Sequence, residues 1–149
     1  MTLALSSPLK KMFCVLSLAL LVVSCGKDED ETPKVISNFD TILQSTDRTQ
    51  FVGQTVDVDD VSVGEITGTY IFWAGGKNSG IPVFRKDQLS GPTKAHVREG
   101  DRVRISGTVR KADLVKSADP MWQNITEEEK QDILNAHVFV EAENVQIIK

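Results

Sequence analysis

Apolar and polar residues alternate with a period of two through most of residues 51–148, which is typical of half-buried β-strands. In the first predicted strand, 55–63, valines occupy even positions 56 and 58 and then odd positions 61 and 63. A strand keeps its faces through such a change only if it carries an extra residue. The pattern therefore predicts a β-bulge at Asp59 and Asp60.

Two shorter strands follow, at 69–74 and 81–86, and a glycine-rich segment between them predicts a turn. Pro82 indicates a strand start or an edge position. In the fourth strand, 102–110, Val103, Ile105 and Val109 share one face and polar side chains share the other. Gly107 falls on the apolar face, where a barrel strand needs room to bend.

A helix is predicted between strands four and five. Thr126 and Glu129 have the spacing of a capping box, and glutamates fill the first turn. We expect the helix to end near residue 135, with Ile133 and Leu134 facing the sheet and Met121, Trp122 and Ile125 packing at its start. The last strand, 138–147, changes parity near residues 143 and 144, which predicts a second bend.

These elements predict a mainly β domain over residues 49–149, a small closed five-stranded barrel with one short helix. An open antiparallel sheet crossed by one helix is the alternative. Three segments, 51–53, 70–73 and 99–109, resemble small OB-fold-like domains of exported bacterial proteins. The usual OB helix lies between strands three and four, whereas here it follows strand four. An OB ligand site therefore does not carry over directly.

The N-terminal segment has the layout of an export signal. Lys10 and Lys11 precede an apolar run from Met12 to Val23, which is too short for a membrane-spanning helix of ~20 residues. The run ends in Val-Val-Ser-Cys at 22–25, which resembles the lipobox of bacterial lipoproteins. That resemblance implies that residues 1–24 are a signal peptide and that Cys25 becomes the lipid-modified N-terminus. An ordinary signal peptide and an uncleaved anchor are the alternatives.

Residues 25–48 are polar and acidic, and we interpret them as a flexible linker, although 35–43 could form a short helix or pack on the domain. Lys27, Asp28 and Glu29 resemble the surface-export signal of some Gram-negative lipoproteins. The alternative is a solvated acidic tether. Gly26 favours transport beyond the inner membrane. We therefore expect a lipid-anchored protein of the outer membrane, on the periplasmic face or the cell surface.

The charge balance argues against nucleic acid as a partner. Loss of Lys10 and Lys11 with the signal, which contains no acid, moves the formal net charge from -4 to -6. Such a chain repels phosphate backbones. Removal of the signal also discards Cys14, so Cys25 is the only cysteine of the mature chain and no intramolecular disulfide is expected.

No residue pattern predicts a catalytic or metal site, and we expect no cofactor. The two histidines, His96 and His137, lie far apart without other ligands at metal spacing. The acids at 57, 59 and 60 lack the glycine turn and terminal glutamate of a calcium loop, so solvated strand-face acids are the favoured interpretation. No serine has a nucleophile-elbow context.

The best ligand candidates are aromatic and basic. Tyr70 and Trp73 lie on opposite faces of strand two, near Arg85 and Lys86 of strand three. An exposed aromatic face beside cations is how OB-folds stack bases or sugars. The favoured alternative buries both faces, one in the barrel and one under the helix or linker.

The leading functional hypothesis is a non-enzymatic, membrane-anchored binding or accessory module that contacts an envelope protein or glycan. The alternatives are an OB domain for single-stranded nucleic acid or oligosaccharide, and an envelope hydrolase whose site the sequence does not identify.

Overall fold

The computed structural model describes residues 34–76, 79–85 and 96–148, and five strands within them close into a barrel. They are β1 (Thr55–Ile66), β2 (Ile71–Ala74), β3 (Ile81–Arg85), β4 (Arg102–Lys111) and β5 (Val138–Ile148). The order around the barrel is β1-β2-β3-β5-β4, and only the β3–β5 pair is parallel. A five-stranded barrel with a crossover is the OB-like arrangement. The predicted barrel is confirmed, and the open-sheet alternative is wrong.

The bulge predicted in β1 is confirmed. The register of β1 against β4 shifts between Val58 and Val61, and Asp60 adopts a φ of 58°. Asparagine and aspartate tolerate this left-handed backbone better than most residues do. The inserted residue keeps Val56 and Val58 on the same inner face as Val63, so all three valines are buried in the barrel despite the parity change in the sequence.

The alternation predicted for β4 is also confirmed, because Val103, Ile105 and Val109 are fully buried. Gly107 lies against β5 so closely that a Cβ there would overlap the carbonyl oxygen of Glu141. The β4–β5 register passes from Ser106–Asn144 to Gly107–Ala142 and leaves one β5 residue unpaired. This is the second bend that the sequence predicted.

Residues 112–137, called the insertion below, connect β4 to β5. They contain the 3-10 helices Ala112–Lys116 and Pro120–Asn124, which the sequence did not predict, and the α-helix Glu127–Ala136. The capping box is confirmed: the Thr126 N–H donates to Glu129 Oε2 at 2.7 Å, and the Glu129 N–H donates to Thr126 Oγ1 at 3.2 Å. Pro82 is the second residue of β3, which agrees with a strand start.

Among the described residues, two apolar clusters hold the domain together. One fills the barrel. The other, called the outer cluster, lies between the insertion and the outside of β2, β3 and β5. Its buried members are Ile71, Phe84, Ala112, Val115, Trp122, Ile125, Ile133 and Phe139. Burial of this second apolar layer fixes the insertion to the barrel.

Residues 34–48 also belong to the packed structure, although the sequence placed them in the linker. Ile36 forms a parallel bridge to Val56: the Ile36 N–H donates to the Thr55 carbonyl at 2.8 Å, and its own carbonyl accepts from Asp57. A four-residue helix, Asp40–Leu43, follows. Ile36, Phe39 and Ile42 are buried in the cluster that fills the barrel. Residues 35–43 thus both form a short helix and pack on the domain, which are the two possibilities that the sequence left open.

Several predictions concern residues outside the described part of the chain. They are the signal at 1–24, Cys25, the export motif Lys27, Asp28 and Glu29, and Lys86. Within the described ranges, no helix is both long enough and apolar enough to span a membrane.

Candidate functional site

The aromatic and basic residues that the sequence singled out are covered in the structure. Tyr70 is half-buried and packs against the outer cluster, while Trp73 is buried and its Nε1 donates to Thr67 Oγ1 at 3.1 Å. Arg85, at the end of β3, is also buried. Inside the barrel lies Phe72. The alternative in which both faces of strand two are buried is therefore confirmed.

The insertion is what covers the outside of β2 and β3. Trp122 packs on Phe84 with ring centroids 4.8 Å apart, and it meets Phe139 edge-on at 5.5 Å. In OB-folds this strand face and the neighbouring loops carry the ligand. Here a side chain of the protein itself occupies the place where a base or sugar would stack. The sequence placed Trp122 beside the helix but contained no signal for its partner on β3.

The rim of this face is closed as well. Gly68, in the loop between β1 and β2, lies so close to Glu129 that a Cβ at position 68 would overlap the carboxylate. Glu129 is buried; its Oε2 accepts from Thr126, and its Oε1 has no hydrogen-bond partner among the described residues. The loop and the insertion are therefore in direct contact across the rim.

The acids at the β1 bulge are solvent-exposed, as expected, but they are paired with arginines of β4. Arg104 contacts Asp57 and Asp59 at 3.0 Å, and Arg102 contacts Asp60 at 2.6 Å. The hydrogen bonds from Arg104 hold the pKa of Asp57 below its ordinary value, and those from Arg102 do the same for Asp60. Across the described ranges, no three His, Cys, Asp or Glu side chains are grouped to hold a metal ion.

A polar pocket of about 500 Å³ lies between the 3-10 helix Arg48–Phe51 and the C-terminal end of the α-helix Glu127–Ala136. Its lining consists of Ser45–Thr49, Asn135 and His137, so it has no apolar floor. His137 is exposed with a φ of 67°, and it ends the helix. Small-molecule sites are mostly apolar with a few polar groups. This pocket therefore fits a ligand poorly.

A second cleft, of about 340 Å³, is formed entirely by the insertion, and we call it the insertion cleft. Its floor is apolar and consists of Val115, Trp122 and Leu134. Trp122 is only 4% exposed, so little of its ring is accessible to a ligand. The floor is rigid because Val115 and Trp122 also belong to the outer cluster. Its volume lies at the lower end of the roughly 300–1,000 Å³ typical of small-ligand sites.

The rim of the insertion cleft is polar and carries two charges of each sign. Lys130 Nζ forms an ion pair with Glu127 Oε1 at 2.6 Å. Lys116 is largely exposed, and its Nζ lies 4.0 Å from Asp113 Oδ1, which makes a much weaker pair. Asp119 caps the second 3-10 helix by accepting from the Met121 N–H at 3.0 Å. Ser117, Gln123 and Gln131 complete the lining. The sequence does not reveal this site, because its residues are spread over three short helices that only tertiary packing brings together.

No protein-family model matches the chain, and no curated protein matches it in sequence. Solved structures similar to it include asparaginyl-tRNA synthetase from Pyrococcus horikoshii, with a TM-score of 0.43 and 9% identity, and the same enzyme complexed with asparaginyl-adenylate, with 0.42 and 11%. Both matches cover 67% of this chain and 21% and 20% of the synthetase chains. The chain thus corresponds to about a fifth of those proteins. A likeness this distant says nothing about activity.

Proposed function

We propose that this chain is a bacterial lipoprotein, cut before Cys25 and anchored by acyl chains at the outer membrane. Its OB-like domain then serves as a non-enzymatic binding or accessory module of the cell envelope. The observation that carries the proposal is a cysteine placed directly after a signal-like apolar run, where an ordinary signal has its small-residue cleavage site. The motif Val22–Cys25 also supplies the small residue that cleavage requires.

The anchor and the tether set where the domain works. Each buried CH₂ of an acyl chain contributes ~0.8 kcal/mol, and two chains give stable membrane attachment. Among the described residues, Ile36 is the first that is bonded to β1. At ~3.3–3.6 Å per residue, the chain from Cys25 to Ile36 spans at most about 40 Å. The domain would therefore act close to the membrane that holds it.

A binding role is better supported than catalysis. Nucleophilic catalysis needs a hydroxyl or thiol beside a base. In the described part of the chain neither histidine side chain bonds a hydroxyl or a carboxylate. The acids at the bulge are held by arginines. The insertion cleft, by contrast, is preformed and lined by both apolar and polar groups.

An OB platform for single-stranded nucleic acid is the less supported candidate. Stacking of bases needs exposed aromatic faces, and Phe84 is covered by Trp122. The net charge of -6 expected after signal removal also opposes phosphate binding.

Cell fractionation of the full chain and of Cys25→Ser tests the proposal. We expect the unchanged chain in the outer-membrane fraction, released only by detergent, and the variant as an uncleaved precursor at the inner membrane. Photo-crosslinking in intact cells should then give discrete adducts with envelope components for the anchored chain. Identical fractionation of the two chains would contradict the anchor, and turnover of an envelope substrate without any adduct would contradict the binding role.

A further inference from the structure

The insertion cleft holds polar groups that the fold leaves unused. Gln123 is exposed and makes no side-chain hydrogen bond among the described residues. Gln131 donates one amide hydrogen to Asn135 at 3.0 Å, which leaves its carbonyl oxygen open. The Ser117 hydroxyl accepts only a long contact, at 3.5 Å, from the Asp119 N–H. These groups offer both hydrogen-bond donors and acceptors to a ligand.

The charge around the cleft favours a ligand without charge. Lys116 and Lys130 are balanced by Asp119 and Glu127. Lys130 is already neutralised by Glu127, and its side chain is only 27% exposed. A phosphate or a polycation would gain little net attraction from such a balanced rim. An uncharged ligand whose groups both donate and accept can use every side chain of the rim.

The apolar floor and the helical walls of the insertion cleft further restrict the chemical class of ligand that it can bind. The apolar lining of the cleft comes mainly from the half-buried Leu134, because Val115 and Trp122 are only 2% and 4% exposed. This small patch suits the C–H face of one sugar ring. Nucleobases need an exposed aromatic face, which Trp122 does not offer at 4% exposure. The walls are helical, so a peptide finds no strand edge to extend, and the polar rim does not make the apolar groove that an amphipathic helix needs.

We propose that the insertion cleft binds one or two rings of an uncharged saccharide, an inference that rests on the proposed role as an envelope binding module. The sugar hydroxyls bond the amides of Gln123 and Gln131 and the rim charges. The C–H face of one ring covers the apolar floor. This site is separate from the strand face that OB-folds use, which the insertion itself fills.

Titrations of the acylated, detergent-solubilised mature chain, followed by ¹H–¹⁵N correlation spectra, test this directly. The probes are N,N′-diacetylchitobiose and cellobiose, each up to about 20 mM, a range in which dissociation constants of about 1 mM can be measured. Sodium phosphate, glucuronate and trialanine serve as the charged and peptide comparisons. Gln123→Ala removes a rim amide, and Gln146→Ala on the outside of β5 is the matched control.

We expect a saturable shift with at least one disaccharide, confined to amides of residues 115–134. Gln123→Ala should weaken it at least about fivefold, and Gln146→Ala should change it less than about twofold. Three results would overturn the inference: no saturable shift with either disaccharide, shifts that lie elsewhere, or stronger binding of phosphate, glucuronate or trialanine in the same cleft. The intact mass of the same preparation measures acylation of Cys25 independently. Failed binding by an acylated chain therefore counts against the saccharide alone, and binding by an unacylated chain counts against the anchor alone.

Discussion

Truncation of Ile105 to alanine should destabilise the domain strongly. Ile105 is fully buried in the barrel, where it is paired with Val58 of β1 and Val145 of β5. The substitution removes about three methylene equivalents, worth ~0.8 kcal/mol each. A closed barrel cannot collapse onto the vacated space, so the remaining cavity adds a further ~1–2 kcal/mol. We therefore expect Ile105→Ala to cost about 3.5–4.5 kcal/mol of unfolding free energy.

Urea unfolding of the mature chain, followed by circular dichroism, measures this cost. With an m-value of roughly 1–3 kcal/mol per molar urea, the midpoint should fall by about 1 M or more. The neighbouring Arg104→Ala is the control, because Arg104 points outward and its ion pairs are exposed to solvent. The control should lose only the small contribution of these exposed ion pairs, far less than Ile105→Ala loses. If Arg104→Ala lost more stability than Ile105→Ala, Arg104 rather than Ile105 would face the core, and the assigned core would be refuted.

Three further perturbations have defined outcomes. Thr126→Ala removes the helix cap and should cost ~0.5–2 kcal/mol in the same urea assay, whereas Thr126→Ser should restore most of it; equal losses would argue against the capping bond. The hydrogen bonds from Arg104 lower the pKa of Asp57 in the folded state below its unfolded value of about 3.8. This pair therefore stabilises the fold at pH values above about 3.8, and the stabilisation is lost as the pH falls through the lower pKa of the folded state. In Asp57→Asn the urea midpoint should therefore fall less steeply on acidification than in the unchanged chain. An equally steep fall in both chains would show that the Arg104–Asp57 pair does not contribute to the pH dependence of stability. Alanine at residues 27–29 should protect the domain from protease added to whole cells if these residues direct surface export; equal digestion would leave them as a tether only.

The features that the sequence predicted correctly depend on local patterns. The parity change of the valines located the bulge at Asp59 and Asp60, and a parity change in β5 located the second bend. Gly107 on an apolar face signalled a close approach between strands. The capping box needed only Thr126 and Glu129 at the right spacing. In each case the physical requirement acts within a few residues, so neighbouring letters carry it.

The features that escaped prediction depend on contacts between distant segments. Trp122 covers Phe84, and no periodicity in either segment specifies that partner. Ile36 bonds to β1 in a bridge that exists only once β1 is formed. The insertion cleft likewise appears only when the three helices of the insertion pack together on the barrel. The sequence patterns therefore located the strands but placed the ligand candidates on a face that the protein fills itself.

The central claim, that a lipid on Cys25 holds this domain at a membrane, is tested most directly by the intact mass of the mature chain purified from cells. We predict that residues 1–24 are absent and that the N-terminal cysteine carries the added mass of a diacylglyceryl group, with or without a further acyl chain on its amine. A mature chain that begins at another residue, or that begins at an unmodified Cys25, would contradict the account.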